Sequence, residues 1–209
     1  MPVIDDDIEF NVALPDPLKV HECKVFGPFA SGALESLDEE PRFNEVPAEV
    51  DNLVGRQVEL FEVIHSVLNH RLVNIMGLPG IGKTALAKNA VNYMKDRRLF
   101  KLGIIFFSLK GYKSTNVFMK KVVTNLVREK FELEPQERKD IEENDFEKLL
   151  SMVTGYFKTI DERLLVVFDN AEELLYYDNL NFREFLTHLL HAGPNASFLM
   201  TSRVTIGVL

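Results

Sequence analysis

Beyond residue 51 the hydrophobic positions switch repeatedly between a helical and an extended period. Leu60, Val63, Ile64, Val67 and Leu68 recur at i, i+3, i+4, i+7 and i+8, which predicts one apolar face of a helix. Leu72 to Met76 is a short β-rich run that stops at Gly77, and Lys83 to Lys95 again reads as a helix. Ile104 to Leu109 predicts a second strand, ended by Lys110-Gly111. Val117, Phe118, Val122, Val123, Leu126 and Val127 mark a further helix, with Ser114 or Thr115 as its N-cap. A charged connector, ELEPQERKDIEEN, follows. Phe146, Leu149, Leu150, Val153, Tyr156, Phe157 and Ile160 then line a strong helical face, and Leu164 to Phe168 is an uninterrupted apolar strand. Phe182, Phe185, Leu186, Leu189 and Leu190 predict the next helix, and Ser197 to Thr201 a last short strand. Continuously apolar strands separated by amphipathic helices predict an α/β fold of three layers, a mainly parallel sheet with helices on both faces.

Residues 1–51 show no such period. Pro2, Pro15, Pro17, Pro28, Pro41 and Pro47 interrupt any helix, so this stretch reads as an arm or linker with one short extended piece near Val20 to Phe26. The division expected is an acidic, proline-containing arm over 1–50 and a folded core over 51–209.

Charge sharpens that boundary. Residues 1–51 hold 13 Asp/Glu against 3 Lys/Arg, whereas residues 52–209 hold 19 against 21. The acidic excess therefore lies in the arm, and no basic block marks a nucleic-acid footprint. No apolar run approaches the ~18 residues of a membrane span. The acidic start MPVIDDD lacks the basic region of a signal peptide, so a cytoplasmic chain is expected. A single cysteine, Cys23, excludes an internal disulfide framework and a cysteine-based zinc site. His188 and His191 stand three apart and read as helix-face residues.

The strongest local signal is GLPGIGKT, Gly77 to Thr84, which fits the phosphate-binding pattern G-x-x-x-x-G-K-[ST]. At ordinary glycine usage those four fixed positions coincide by accident in roughly one chain per hundred of this length. Here the motif also follows a predicted strand and opens a predicted helix. Wrapping a polyphosphate requires several backbone N–H groups to point inward, a path that glycine permits. The expected nucleotide contacts run through Gly77, Gly80, Ile81, Gly82, Lys83, Thr84 and Ala85, with the positive end of the helix dipole facing the phosphates. The Lys83 ammonium would reach the β- and γ-phosphates, and the Thr84 hydroxyl would ligate Mg²⁺.

LLVVFDNAEE, Leu164 to Glu173, ends an apolar strand in an acid. A strand of this kind beside the P-loop strand would bring Asp169 near Thr84 as the second Mg²⁺ group. Hydrolysis also needs a group that orients or deprotonates water. Asn170 can orient water but cannot take its proton; Glu172, ahead of Glu173, is the candidate base, the alternative being that both acids merely favour a helix start. No [NT]-K-x-D motif follows the P-loop, so adenine is expected in preference to guanine.

Two flanking pieces complete the series: VGRQVEL, Val54 to Leu60, and SFLMTSR, Ser197 to Arg203. In order, VGRQVEL, GLPGIGKTALA, LLVVFDNAEEL and FLMTSR resemble the signal-transduction ATPases with numerous domains, the STAND class, and within it the NB-ARC or AP-ATPase type. The resemblance covers about residues 50–209. It implies that Val54, Gly55 and Arg56 line the adenine pocket, that Asp169 is the Walker B acid, and that Arg203 is the sensor that touches the γ-phosphate. It implies ATP and ADP as ligands with Mg²⁺, ADP holding a closed switch and ATP opening it for self-assembly. Protein partners would act through flanking domains. Asn170, in place of a second acid, implies slow hydrolysis or none. The family continues beyond the position of Arg203 with another strand, a helical lid and a winged helix. Without them the expectation is an incomplete core with one edge of the P-loop strand open to pairing. An active AAA-like ATPase or motor, and an interaction scaffold without turnover, remain alternatives at this level.

Overall fold

The computed structural model describes residues 10–13, 41–50, 55–128 and 135–206. Their elements, in chain order, are β1 (Phe10–Ala13), β2 (Phe43–Glu45), α1 (Gln57–Asn69), β3 (Leu72–Met76), α2 (Lys83–Asp96), β4 (Gly103–Ser108), α3 (Thr115–Arg128), α4 (Pro135–Glu143), α5 (Phe146–Lys158), β5 (Leu164–Asp169), α6 (Glu172–Tyr177), α7 (Asn179–Ala192) and β6 (Ala196–Ser202). The strands form one six-stranded sheet in the order β1-β3-β6-β5-β4-β2. Every pairing is parallel. The predicted three-layer α/β fold is the fold observed.

Alternation along the strands builds the layers. On β5, Leu165 and Val167 face one core, which α1 and α2 cover with Val63, Val67, Leu86, Ala90 and Met94. Leu164, Val166 and Phe168 face the opposite core, covered from α3, α5 and α7 by Phe118, Leu150, Val153, Phe182 and Phe185. With both faces packed, every residue of β5 is buried, hence the unbroken apolar run. Phe168 forms the hub of an aromatic cluster, with ring centroids 5.6 Å from Phe118, 6.0 Å from Phe198 and 6.2 Å from Phe107.

Three features depart from the sequence reading. First, the charged connector contains a helix, α4, which starts at Pro135. Proline suits the first helical position, where its missing N–H would find no intrahelical acceptor anyway. The segment is strongly polar, and one apolar position, Ile141, packs against the core edge.

Second, the arm contributes two strands. β2 pairs with β4 at one edge of the sheet, Phe43 opposite Gly103. The approach is so close that a Cβ on Gly103 would lie 1.9 Å from the Phe43 carbonyl oxygen, and its φ of +114° is itself a glycine conformation. The extended piece expected near Val20 to Phe26 lies outside the described residues.

Third, the outer edge of the P-loop strand is not open. β1 pairs with β3, Phe10 opposite Val73 through Ala13 opposite Met76. An edge of unpaired N–H and C=O groups is satisfied by any extended segment that reaches it, and here residues far upstream do so.

Candidate functional site

In a parallel sheet the C-terminal strand ends all open on one side, where ligands of α/β folds gather. Three of these ends build the site. Met76 of β3 lies opposite Ser202 of β6, and Phe168 of β5 lies opposite Met200 of β6. β6 therefore stands between the P-loop strand and the strand that ends in Asp169. The sequence expectation of a direct neighbour is corrected: the two strands are next-nearest, and the tip of β6 lies between them.

Gly77 to Gly82 forms the loop between β3 and α2. Gly80 and Gly82 have φ of +78° and +96°, in the left-handed region that a side chain disfavours. A Cβ at either position would meet nothing within 4 Å, so the space over the loop is open. Gly82 is the N-cap of α2, without a capping side chain, and no acid occupies the first turn. The orphan N–H groups and the dipole of this helix end thus remain for an anion. Ile81 packs partly into the α1–α2 core and anchors the loop; Ala85, half-buried, follows in the first turn of α2.

Lys83 is buried at 8% exposure. Its Nζ donates to the carbonyl oxygens of Gly77 at 2.8 Å and Leu78 at 3.0 Å. Burial lowers its pKa; the Glu172 carboxylate opposes this, Arg203 adds to it, and Asp169 opposes it more weakly. The ammonium is therefore held inside the loop, within the field of all three other charged candidates.

Thr84 Oγ1 donates to Asp169 Oδ1 at 2.7 Å across the cup, and Asp169 is 3% exposed. A hydroxyl and a carboxylate converging at an open phosphate loop are hard oxygen donors of the kind Mg²⁺ takes alongside nucleotide phosphates, so the residues present fit that ion. After Asp169 the chain turns through Asn170 at φ +61° and enters α6 at Glu172. The Glu172 side chain is 13% exposed, not a solvated helix-start acid, and its Oε1 accepts an ion pair from Arg203 Nε at 2.9 Å. Its other oxygen, Oε2, is buried without a partner among the described residues.

Arg56 also reaches the loop. Its Nη2 donates to the Ile81 carbonyl oxygen at 3.3 Å, and its Nη1 pairs with Glu59 at 3.0 Å. Gly55 precedes it at φ +76°; Val54 lies outside the described residues. The structure thus brings Arg56, the P-loop, Asp169, Glu172 and Arg203 to one side of the sheet.

One participant was missed by the sequence reading. Thr201 Oγ1 donates to Asp169 Oδ1 at 2.6 Å, and Thr201 is wholly buried. A polar residue within the apolar run FLMTSR was the available signal. Its meaning depended on β6 lying between β3 and β5, which periodicity does not report.

Among the described residues no helix is long and apolar enough to cross a membrane. No curated protein matches the sequence. Among solved structures the chain is similar to a Walker-type ATPase of Pyrococcus abyssi, at 15% identity over 76% of this chain and 48% of that one, TM-score 0.49. It is similar to a DNA replication initiation factor at 17% identity over 75% and 41%, TM-score 0.41, and to PCH-2 of C. elegans at 15% identity over 77% and 40%, TM-score 0.39. The chain spans less than half the length of each of these structures. A family model described as an AAA domain, of the AAA_22 type, matches residues 49–204. With a phosphate loop, a strand-end acid and that match across most of its length, the chain belongs to the AAA domain family of P-loop ATPases.

Proposed function

We propose that this AAA domain is an ATP/ADP-binding regulatory switch, of the NB-ARC kind within the STAND class, with slow hydrolysis or none. The observation that supports this reading best is the pairing of Arg203 with Glu172 beside the buried Lys83. One cation already holds the candidate base, so an arriving γ-phosphate offers Arg203 a second anionic partner. In this reading residues 51–209 bind nucleotide, and the acidic residues 1–50 serve as an arm that lends the sheet its two edge strands, β1 and β2.

The chain's own groups act as follows. Lys83 leaves the Gly77 and Leu78 carbonyls for the β- and γ-phosphates, and the Gly80 to Thr84 amides cup them. Thr84 and Asp169 would hold Mg²⁺, which when bound would neutralise charge on the phosphate oxygens. Val54, Gly55 and Arg56 border the base. Arg203 swings from Glu172 to the γ-phosphate. Where hydrolysis occurs, Glu172 takes the proton of a water whose oxygen bonds to the γ-phosphorus as the bond to ADP breaks. Asn170 orients that water without accepting its proton.

A complete switch between two states needs ~5.5 kcal/mol of differential binding. A single contact from Arg203 supplies only part of that, so partner proteins or self-assembly supply the remainder, and a cytoplasmic setting fits such a role. The rival reading, an active AAA-like ATPase, is favoured by the unpartnered buried Oε2 of Glu172. Steady-state phosphate release separates the two: turnover below ~1 s⁻¹ supports the switch, and faster turnover, in the ordinary enzyme range, overturns it.

A further inference from the structure

We infer that Thr201 is a positioning residue whose hydroxyl sets both the metal-facing carboxylate of Asp169 and the turn that launches Glu172. The inference rests on the nucleotide reading above and deepens it.

The geometry is a three-way junction. A threonine hydroxyl has one hydrogen to donate and lone pairs to accept with. Thr201 Oγ1 gives its hydrogen to Asp169 Oδ1 at 2.6 Å and accepts from the Asn170 backbone N–H at 3.0 Å. The Thr201 backbone joins in, its carbonyl oxygen accepting from Ala171 N–H at 2.9 Å. One residue of β6 therefore bonds to each of the three residues 169–171. Asn170, between them, has φ +61°, a conformation that a non-glycine residue keeps where its surroundings hold it. Glu172 is the next residue but one.

The same carboxylate oxygen receives Thr84 Oγ1 at 2.7 Å. Both hydroxyls thus converge on Oδ1, and neither donates to Oδ2. The two are not equivalent. Thr84 lies in the first turn of α2, next to the phosphate loop, and belongs to the ligand side of the cup. Thr201 belongs to β6, on the other side of that carboxylate's hydrogen bonds, and is wholly buried. A hydroxyl that orients a metal-facing group from behind acts on metal affinity through that group, and loss of such a partner typically costs 10–100-fold. Valine would keep the β-branched shape of the strand residue while removing the hydroxyl.

The test uses the full chain with Thr201→Val, Thr201→Ala and Thr201→Ser. Binding of a fluorescent ATP analogue is measured in EDTA and across a Mg²⁺ titration, and folding is checked by thermal melts. The expected result is that the Val and Ala variants bind in EDTA within about twofold of the wild type while the Mg²⁺ midpoint rises at least ~10-fold. Thr201→Ser, which keeps the hydroxyl, returns the midpoint to within about threefold of the wild type. A wild-type Mg²⁺ midpoint in both the Val and Ala variants overturns the inference, as does a Ser variant as impaired as Val, because the methyl group and not the hydroxyl would then matter. Wild-type protein that binds no nucleotide with or without Mg²⁺ overturns the nucleotide reading itself, a result distinct from either of these.

Discussion

Arg203 Nε lies 2.9 Å from Glu172 Oε1, joining the tip of β6 to the first residue of α6. The arginine side chain is 54% exposed while the glutamate is largely covered, so the cation can leave more readily than the anion. If Arg203 moves to the γ-phosphate, only the triphosphate gains. Arg203→Ala is expected to weaken ATP by about tenfold and ADP by less than about threefold, the yield of one charge-assisted hydrogen bond at a half-exposed site. Competition titrations with both nucleotides measure this, and equal losses would remove Arg203 from the sensor role.

Glu172→Gln keeps the shape of the side chain and removes its basicity. Loss of a general base slows the chemical step by roughly 100-fold or more. Phosphate release by the variant should fall by that factor with ATP affinity little changed. If the wild type and the variant turn over at the same rate, proton removal does not run through this carboxylate.

Lys83 carries two expectations. Lys83→Ala should abolish binding of a labelled adenine nucleotide while leaving the fold intact; retention of binding would take Lys83 out of the site, whereas a wild type that binds none would favour a scaffold without nucleotide. The second concerns pH. The folded pKa of Lys83 is below its ordinary 10.5, chiefly through burial. Between the folded value and 10.5 the unfolded chain binds more protons than the folded one, so stability from this group rises with pH across that window. In nucleotide-free protein, the melting temperature of the wild type relative to Lys83→Met should therefore climb as pH approaches 10.5. A difference that stays flat would contradict the buried ammonium.

Gly103 tests the fold independently of the site. Any Cβ there collides with the Phe43 backbone, so Gly103→Ala must displace β2 or strain β4. A loss of about 2–4 kcal/mol is expected from clash and backbone strain together. Gly103 starts β4 at the opposite end of the sheet from the P-loop, so nucleotide affinity should hold under conditions where the variant is folded. Denaturant melts and a nucleotide titration on the same sample check both parts.

Much of this molecule can be read in its residues, for reasons that differ from element to element. Leu72–Met76 and Leu164–Asp169 are legible because strands buried on both faces are built mostly of apolar residues, Asn74 and the terminal Asp169 being the polar exceptions. The P-loop is legible because its glycines and Lys83 answer a local chemical demand. α4 was hidden because a surface helix of mostly charged residues carries little apolar periodicity. Sheet order was hidden as well. Nothing along the chain states that β6 enters between β3 and β5, and so nothing gave the polar Thr201 its meaning within the apolar run around it. The pairing of β1 with β3 was hidden for the same reason, since a partner about sixty residues away leaves no local mark.

That last pairing has a mechanical corollary. Ala13 ends level with Met76, and the phosphate loop begins at the very next residue, Gly77. The loop consequently hangs from a strand braced by β6 on one flank and by a four-residue splice from upstream on the other. The root of the loop and the end of β1 therefore share one anchor, so a substitution that weakens the β1–β3 pairing acts where the loop springs from the sheet.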